Sequence, residues 1–319
     1  MDWLYWAIPA AVVGLFLLPT MAVAGIIYTV LLVRTSKKKW DRSCSIPTDE
    51  EYCRMFDIGI EWDKQYGACK HPVEIVSDGF RLAGEYFDFG AKKAVIIIPG
   101  RMESLLYSYF FAEPFRVGGC NVLVIDNRSH GLSEGRVVSL GFREYRDILS
   151  WSKLLHDELG NETVILHGIC IGAEVAVFAL TSKDCPDYLR GMVAEGMFTN
   201  FYQSFRNHMI DGRHPLFPLA GEVMLLTRIF SHARAVTDGP LKRIPGLKKP
   251  ILFLHSREDI FSVPAQADAL YAACGSEQKK LVWFPVGAHS RIRINDAEAY
   301  DRAIVDYLPV FETEGVPVA

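Results

Sequence analysis

The feature that most constrains this chain is the stretch from Thr163 to Leu180. There a β-branched run, Thr163-Val164-Ile165-Leu166, meets a helix-compatible segment, Ala173 to Leu180, within a few residues. Between them lies His167-Gly168-Ile169-Cys170-Ile171-Gly172, a G-x-C-x-G pattern. Turning from strand to helix so abruptly forces the central residue into a strained backbone, and glycine on either side avoids the collisions a side chain would make. The chain is thereby committed to a strand-turn-helix unit with Cys170 at its tip, the reading of a nucleophile elbow that carries a thiol. A helix N-terminus presents partial positive charge, which favours a thiolate and can lower a cysteine pKa from its reference near ~8.5. On the motif alone, a buried core cysteine in a glycine-bearing turn stays open.

An elbow of this kind needs an acid and then a histidine, in that order, after later strands. Pro250 to Leu254 is an apolar strand running into the polar loop His255-Ser256-Arg257-Glu258-Asp259, which makes Asp259 the candidate acid. Lys280 to Pro285 reads as one more strand, and Gly287-Ala288-His289 as a loop able to return a histidine across the strand ends. His289 is the candidate base: it would take the Cys170 proton or hold an ion pair with it, while Asp259 fixes its tautomer. Glu258 and Glu195 are rival acids, Glu195 because it follows the apolar Met192-Val193-Ala194. His130, His167 and His255 sit at strand ends and are rival histidines, though none follows Asp259.

Acyl transfer also needs donors for an oxyanion, normally the N–H after the nucleophile and one from the loop after an earlier strand. Those are the backbone groups of Ile171 and Arg101, the latter in Pro99-Gly100-Arg101-Met102-Glu103-Ser104 after the strand Ala94 to Ile98. The strand Asn121 to Asp126 runs into Asn127-Arg128-Ser129-His130-Gly131-Leu132-Ser133. From Asp126 to Ser133 this resembles the D-x-R-G-x-G-x-S turn of the α/β-hydrolase superfamily, with Ser129 where glycine is usual. The resemblance covers about Pro72 to Phe311. The loop from Pro99 is similar to the oxyanion loop of bacterial lysophospholipases and monoglyceride lipases, with Pro99 where histidine is more frequent. The cysteine elbow instead resembles dienelactone hydrolases, polyhydroxyalkanoate synthases and acyl-CoA amino acid N-acyltransferases.

Patterning leads to the same fold class, α/β, since apolar strands alternate with segments of helical length, the mark of a mostly parallel sheet covered on both faces. Phe80 to Phe87 and Val73 to Val76 flank Ser77-Asp78-Gly79 and read as an antiparallel hairpin. Helices are predicted over 103–117, 141–158, 171–183, 264–274 and 296–308. The expected organisation is a transmembrane anchor over 1–34, a basic juxtamembrane linker over 35–71, and a single α/β-hydrolase domain over 72–315. A helical cap is expected at about 197–248, rich in large apolar residues such as Phe198, Phe201, Phe205, Met209 and Met224. Those side chains either line an acyl pocket or pack the cap onto the body.

From Trp3 to Val33 there is no charged residue, a stretch longer than the ~20 apolar residues needed to cross a bilayer. A cleavable signal peptide would have a basic n-region and a core of ~7 to 15 residues. Trp3, Tyr5 and Trp6 suit one interface, and Pro9 and Pro19 are positions where the span could kink. Arg34, Lys37, Lys38, Lys39 and Arg42 follow, so the positive-inside rule places the catalytic domain in the cytoplasm. Seven scattered cysteines without C-x-x-C spacing fit a reduced compartment, with a metal or disulfide role for Cys44, Cys53 and Cys69 the weaker reading.

The sequence thus points to a membrane-anchored acyl hydrolase acting through Cys170, His289 and Asp259 on a hydrophobic ester or thioester, with no cofactor or metal required. A net charge of -4 gives no electrostatic case for nucleic acid. Two other readings stay open: an acyltransferase that passes the acyl group to an amine or alcohol, and a tethered binding protein that has lost catalysis.

Overall fold

The computed structural model of the chain describes residues 2–312, so the expected domain end at 315 lies outside the described residues. Eight strands form one sheet in the order β1-β2-β4-β3-β5-β6-β7-β8. They are β1 Lys70–Ser77, β2 Phe80–Phe87, β3 Lys93–Ile98, β4 Asn121–Ile125, β5 Thr163–Ile169, β6 Leu189–Glu195, β7 Ile251–Ser256 and β8 Lys279–Phe284. The expected hairpin is present: β1 and β2 pair antiparallel from Lys70↔Phe87 to Ser77↔Phe80, turning at Asp78 and Gly79, both with positive φ. From β3 to β8 all pairings are parallel.

The strands alternate their side chains between two cores, as a sheet covered on both faces requires. Ala94, Ile96, Ile98, Val164 and Leu166 face one layer, built on the helices Glu144–Lys153 and Ile171–Leu180. Val95, Ile97, Ile165 and Ile169 face the other, with Tyr300, Ile304 and Tyr307 of the helix Ala297–Tyr307. The strand order reverses at β3, whose neighbours are β4 and β5, and sites in such sheets form where the order reverses, at the carboxyl ends of the strands. The register Ile98↔Gly168 sets the loop after β3 beside the elbow after β5.

Most predicted helices are present, with one correction. Over 103–117 the chain makes two short helices, Leu105–Ser108 and Glu113–Val117, separated by a 3-10 turn at Tyr109–Phe111. Pro114 explains the restart, because proline has no N–H for a preceding turn and is tolerated at the start of a helix. The segment 35–71, expected as a linker, contains the helix Glu50–Tyr66, capped by Asp49 and buried through Tyr52, Met55 and Trp62. Its basic neighbours are engaged with the body: Arg42 pairs with Glu85 and Asp126, and Arg34 donates to the carbonyls of Gly131 and Ser133.

Between β6 and β7 lie the helices Phe201–Asp211 and Leu219–Phe230, here termed the first and second cap helices. The N-terminal helix Asp2–Leu32 runs unbroken through Pro9 and Pro19, and Gly14–Leu32 is long and apolar enough to cross a membrane. Its last turns form one core with the cap, where Ala24, Tyr28 and Leu32 meet Phe198, Phe201, Phe205, Val223 and Met224. Thr20 Oγ1 donates to Glu222 Oε1 at 2.8 Å, and the Tyr28 hydroxyl bonds Ser231 Oγ at 3.1 Å. Because residue numbers rise together across these two contacts, the N-terminal helix and the second cap helix run parallel.

Candidate active site

Cys170 sits between β5 and the helix Ile171–Leu180 with φ 55° and ψ −114°, the strained backbone the elbow demands. The flanking glycines have steric reasons. A Cβ on Gly172 would lie 2.1 Å from the Ile98 carbonyl oxygen, and one on Gly168 would lie 2.5 Å from the Ala173 backbone. The Cys170 amide is held by the Glu195 carbonyl at 2.9 Å. The thiol is half-buried, and Ile171 follows as the first helical residue, whose N–H belongs to the group without an intrahelical acceptor.

His289 and Asp259 meet through Nδ1 and Oδ2 at 2.7 Å. The other Asp259 oxygen accepts the amides of Phe261 at 2.9 Å and Ser262 at 2.8 Å, so the carboxylate is fixed at both ends. Burial alone would raise the Asp259 pKa, but the charge and hydrogen bond of His289 and the Ser262 amide outweigh it and hold it below its ordinary value. Burial likewise opposes the charged form of His289, yet the Asp259 carboxylate and then Cys170 carry its pKa well above the ordinary value. His289 Nε2 is buried without a hydrogen-bond partner among the described residues. Gly196, at φ 58°, leaves room for this ring, since a Cβ there would lie 3.2 Å from His289 Cε1.

The rival groups have other partners. Glu195 accepts the Tyr300 hydroxyl at 2.6 Å, and burial raises its pKa to about 7. Glu258 accepts the Gly287 amide at 3.0 Å and so shapes the loop that carries His289. His255 bonds the Ser262 carbonyl, and His167 contacts the Val193 carbonyl and Tyr300. His130 bonds the carbonyls of Arg128 and Arg101 and stacks on Trp40.

This use of His130 fixes the loop after β3. With its carbonyl taken, Arg101 is held in one orientation, and its own N–H has no hydrogen-bond acceptor among the described residues. On its other side Gly100 N–H donates to Glu103 Oε2 at 2.8 Å, and Glu103 also takes the hydroxyl of Tyr52 from the helix Glu50–Tyr66. The turn from Asp126 to Ser133 buttresses the same region. Asp126 accepts the amides of Leu105 and Leu132, and Ser133 Oγ returns to the Asp126 carbonyl. Ser129, where glycine was expected, adopts φ 70°.

A cavity of about 640 Å³ opens over Cys170 and His289, within the range of small-molecule sites. Its apolar lining includes Phe198, Phe201, Phe205 and Met209 from the cap, together with Val23, Ile27 and Leu31 from the N-terminal helix. Tyr52 and the three N-terminal residues were not expected at this site, nor were the supporting roles of Glu103 in the oxyanion loop and of His130, a rival base by sequence. Only the three N-terminal residues carry a signal in hindsight: their spacing of four keeps one helical face toward the cavity. The Cys44 and Cys53 sulfurs lie 3.5 Å apart, and all seven cysteines are free.

The model of the alpha/beta hydrolase fold matches residues 93–212 of the chain. The uncharacterized protein YqkD of Bacillus subtilis (strain 168) is 27% identical over 216 residues, 67% of this chain and 70% of that protein. Among solved structures, the Pyrococcus furiosus esterase Pf2001 superposes with a TM-score of 0.66 at 23% identity, covering 77% of this chain and 93% of that one. An alpha-beta hydrolase from Vibrio vulnificus superposes with a TM-score of 0.58 at 17% identity over 85% of this chain and 91% of that one.

Proposed function

We propose that this chain, which has the α/β-hydrolase fold and takes its place in that superfamily, is a membrane-anchored acyl hydrolase acting through Cys170, His289 and Asp259. The observation that carries the reading is the Asp259–His289 pair, whose free Nε2 is buried beside the elbow cysteine at the floor of an apolar cavity.

The geometry supports a two-step reaction. His289 Nε2 takes the Cys170 proton, and the sulfur bonds to the acyl carbonyl carbon. The resulting oxyanion is stabilised by the N–H group of Ile171 and by that of Arg101, whose loop His130 and Glu103 hold in place. The carbonyl re-forms, the bond to the leaving alcohol or thiol breaks, and His289 returns its proton to that group. Water then attacks the thioester while His289 accepts its proton, and the acid is released as the proton returns to the cysteine. Asp259 stays ionised throughout and stabilises the imidazolium. The raised pKa of His289 suits it to hold this proton at neutral pH.

The apolar lining favours a hydrophobic acyl group, and the loop resembling lysophospholipases and monoglyceride lipases makes their substrates the first to test. The long uncharged N-terminal helix supports a membrane location, with the exposed Lys37 and Lys38 favouring a cytoplasmic catalytic domain. Incubating the purified full chain with lysophospholipid, monoacylglycerol and acyl-CoA, with products identified by mass spectrometry, tests the reading. Free fatty acid is the expected product; acyl transfer to an added amine or alcohol with no free acid would replace hydrolysis by transfer. An electrophilic acyl probe should modify Cys170, and labelling of Cys44 or Cys53 with Cys170 untouched would leave the binding-protein reading.

A further inference from the structure

The N-terminal helix does two things at once, and the division falls near Thr20. From Thr20 to Leu32 it belongs to the site. Val23, Ile27 and Leu31, spaced by four, line the cavity, while Ala24 and Tyr28 on the adjacent face are buried in the cap core. Hydrogen bonds from Thr20 to Glu222 and between Tyr28 and Ser231 fasten it to the second cap helix. The guanidinium of Arg101 donates to the Leu31 carbonyl at 3.1 Å, which ties the last turn to the loop proposed to hold the oxyanion. Lys39 Nζ takes the carbonyls of Thr29 and Val30 at the same end.

Before Thr20 the helix leaves the protein. Asp2–Pro19 extends beyond the start of the second cap helix, and at 1.5 Å per residue it is about 27 Å long, close to the ~30 Å hydrocarbon core of a bilayer. From Thr20 onward the neighbouring cap helix carries Glu222 and Arg228, residues costly to place in hydrocarbon, so the lipid-embedded part ends near Thr20. Where the helix emerges the protein surface is apolar. Phe217, just before the second cap helix, is 80% exposed, and Leu225 and Ile229, further along that helix at the level of Val23 to Tyr28, are about half exposed. The outer cavity residues Val23 and Leu219 lie at this same level, next to the Thr20–Glu222 contact.

We propose that the cap rests on the bilayer and that the cavity takes an acyl lipid sideways from the membrane, along the face of the N-terminal helix bearing Val23, Ile27 and Leu31. The proposal builds on the hydrolase reading, naming a bilayer-resident lipid as the substrate. Its test is arranged so that the two fail separately. The full-length Cys170→Ala variant is reconstituted in phosphatidylcholine vesicles containing a long-chain monoacylglycerol with a diazirine in its acyl chain. After photolysis, adducts are mapped by peptide mass spectrometry. Adducts at Val23, Ile27 or Leu31 and at Phe205 or Met209 are expected. Adducts confined to outward residues such as Leu15, Leu18, Ile26 and Val30 would overturn the proposal. In the active protein, Ile27→Trp should lower the ratio of kcat/KM for a vesicle-embedded long-chain ester to that for a soluble acetyl ester at least ten-fold. The outward Val30→Trp should leave that ratio at the wild-type value. An unchanged ratio in Ile27→Trp would also overturn the proposal. Cavity adducts without hydrolysis of either ester would remove the catalytic reading and leave the lipid site standing; hydrolysis without cavity adducts would do the reverse.

Discussion

The cavity has two unlike walls. One is made of strand-end loops in which nearly every polar group has an assigned partner: Asp259 with His289, Glu258 with Gly287, His130 with Arg101, and Glu103 with Gly100 and Tyr52. The other is made of the N-terminal helix and the cap, apolar apart from Ser204, His208 and His214 and fastened by the contacts of Thr20 and Tyr28. Directional bonds fix atoms to a fraction of an ångström, as chemistry requires. Apolar packing fixes shape and volume without choosing among groups of similar size. The first wall therefore sets what reaction is possible, and the second sets what fits.

That contrast can be broken most directly at the polar wall. Cys170→Ala should reduce ester hydrolysis by about 10³-fold or more, measured with saturating substrate. Residual turnover within ten-fold of wild type would show that the chemistry lies elsewhere. Asp259→Asn should cost about 10² to 10⁴-fold in kcat. Because Asp259 raises the His289 pKa and His289 must be neutral to accept a proton, this change should also move the acid limb of the pH-rate profile to lower pH. Glu195→Gln should stay within about ten-fold of wild type in kcat, because Glu195 bonds Tyr300 and not His289. Equal losses at both positions would dissolve the distinction between them.

Glu195 leaves its mark on stability instead. Its carboxyl keeps a proton up to about pH 7 in the native state, whereas the unfolded group releases it near the ordinary 4.5. The native state thus holds more protons between those values, so stability falls as pH rises through that window, by about 3 kcal/mol in all. Glu195→Gln should flatten that slope in denaturant titrations between pH 4.5 and 7. The smallest effects belong to the apolar wall. Thr20→Val and Tyr28→Phe should each lower stability by about 1 kcal/mol, measured by thermal unfolding of the full chain in detergent. A much larger loss at either residue would mean that this wall, too, depends on directional bonds.

How far the sequence reveals this molecule varies from part to part. The strands are legible because each is a short apolar run, and β2 spans the predicted Phe80 to Phe87. The helix Glu50–Tyr66 was legible in principle, since Asp49 caps it and its buried Tyr52, Met55, Gly59 and Trp62 follow a spacing of three and four. The basic cluster Arg34 to Arg42 just before it reads as a topology signal instead. Arg34, Lys39 and Arg42 turn out to hold the protein together, a role that charge alone does not reveal. Asp259 and Glu195 both follow apolar strands, and which one meets His289 depends on the path of the loop after β7. Least legible was the N-terminal helix. An uncharged stretch reads the same whether it faces lipid on every side or packs against a cap along one stripe.

That stripe restricts how the chain can change. A helix that served only as a tether could be exchanged for any apolar segment of similar length. Here Val23, Ile27 and Leu31 bound the cavity and Thr20 and Tyr28 join the cap, so a transplanted anchor would bring the wrong contours to the site. Helix and cavity are bound to vary together on that face, while the opposite face, with Ile26 and Val30, is free to drift. A shortened chain beginning after Leu32 would not be a soluble copy of the same site but one with a side missing.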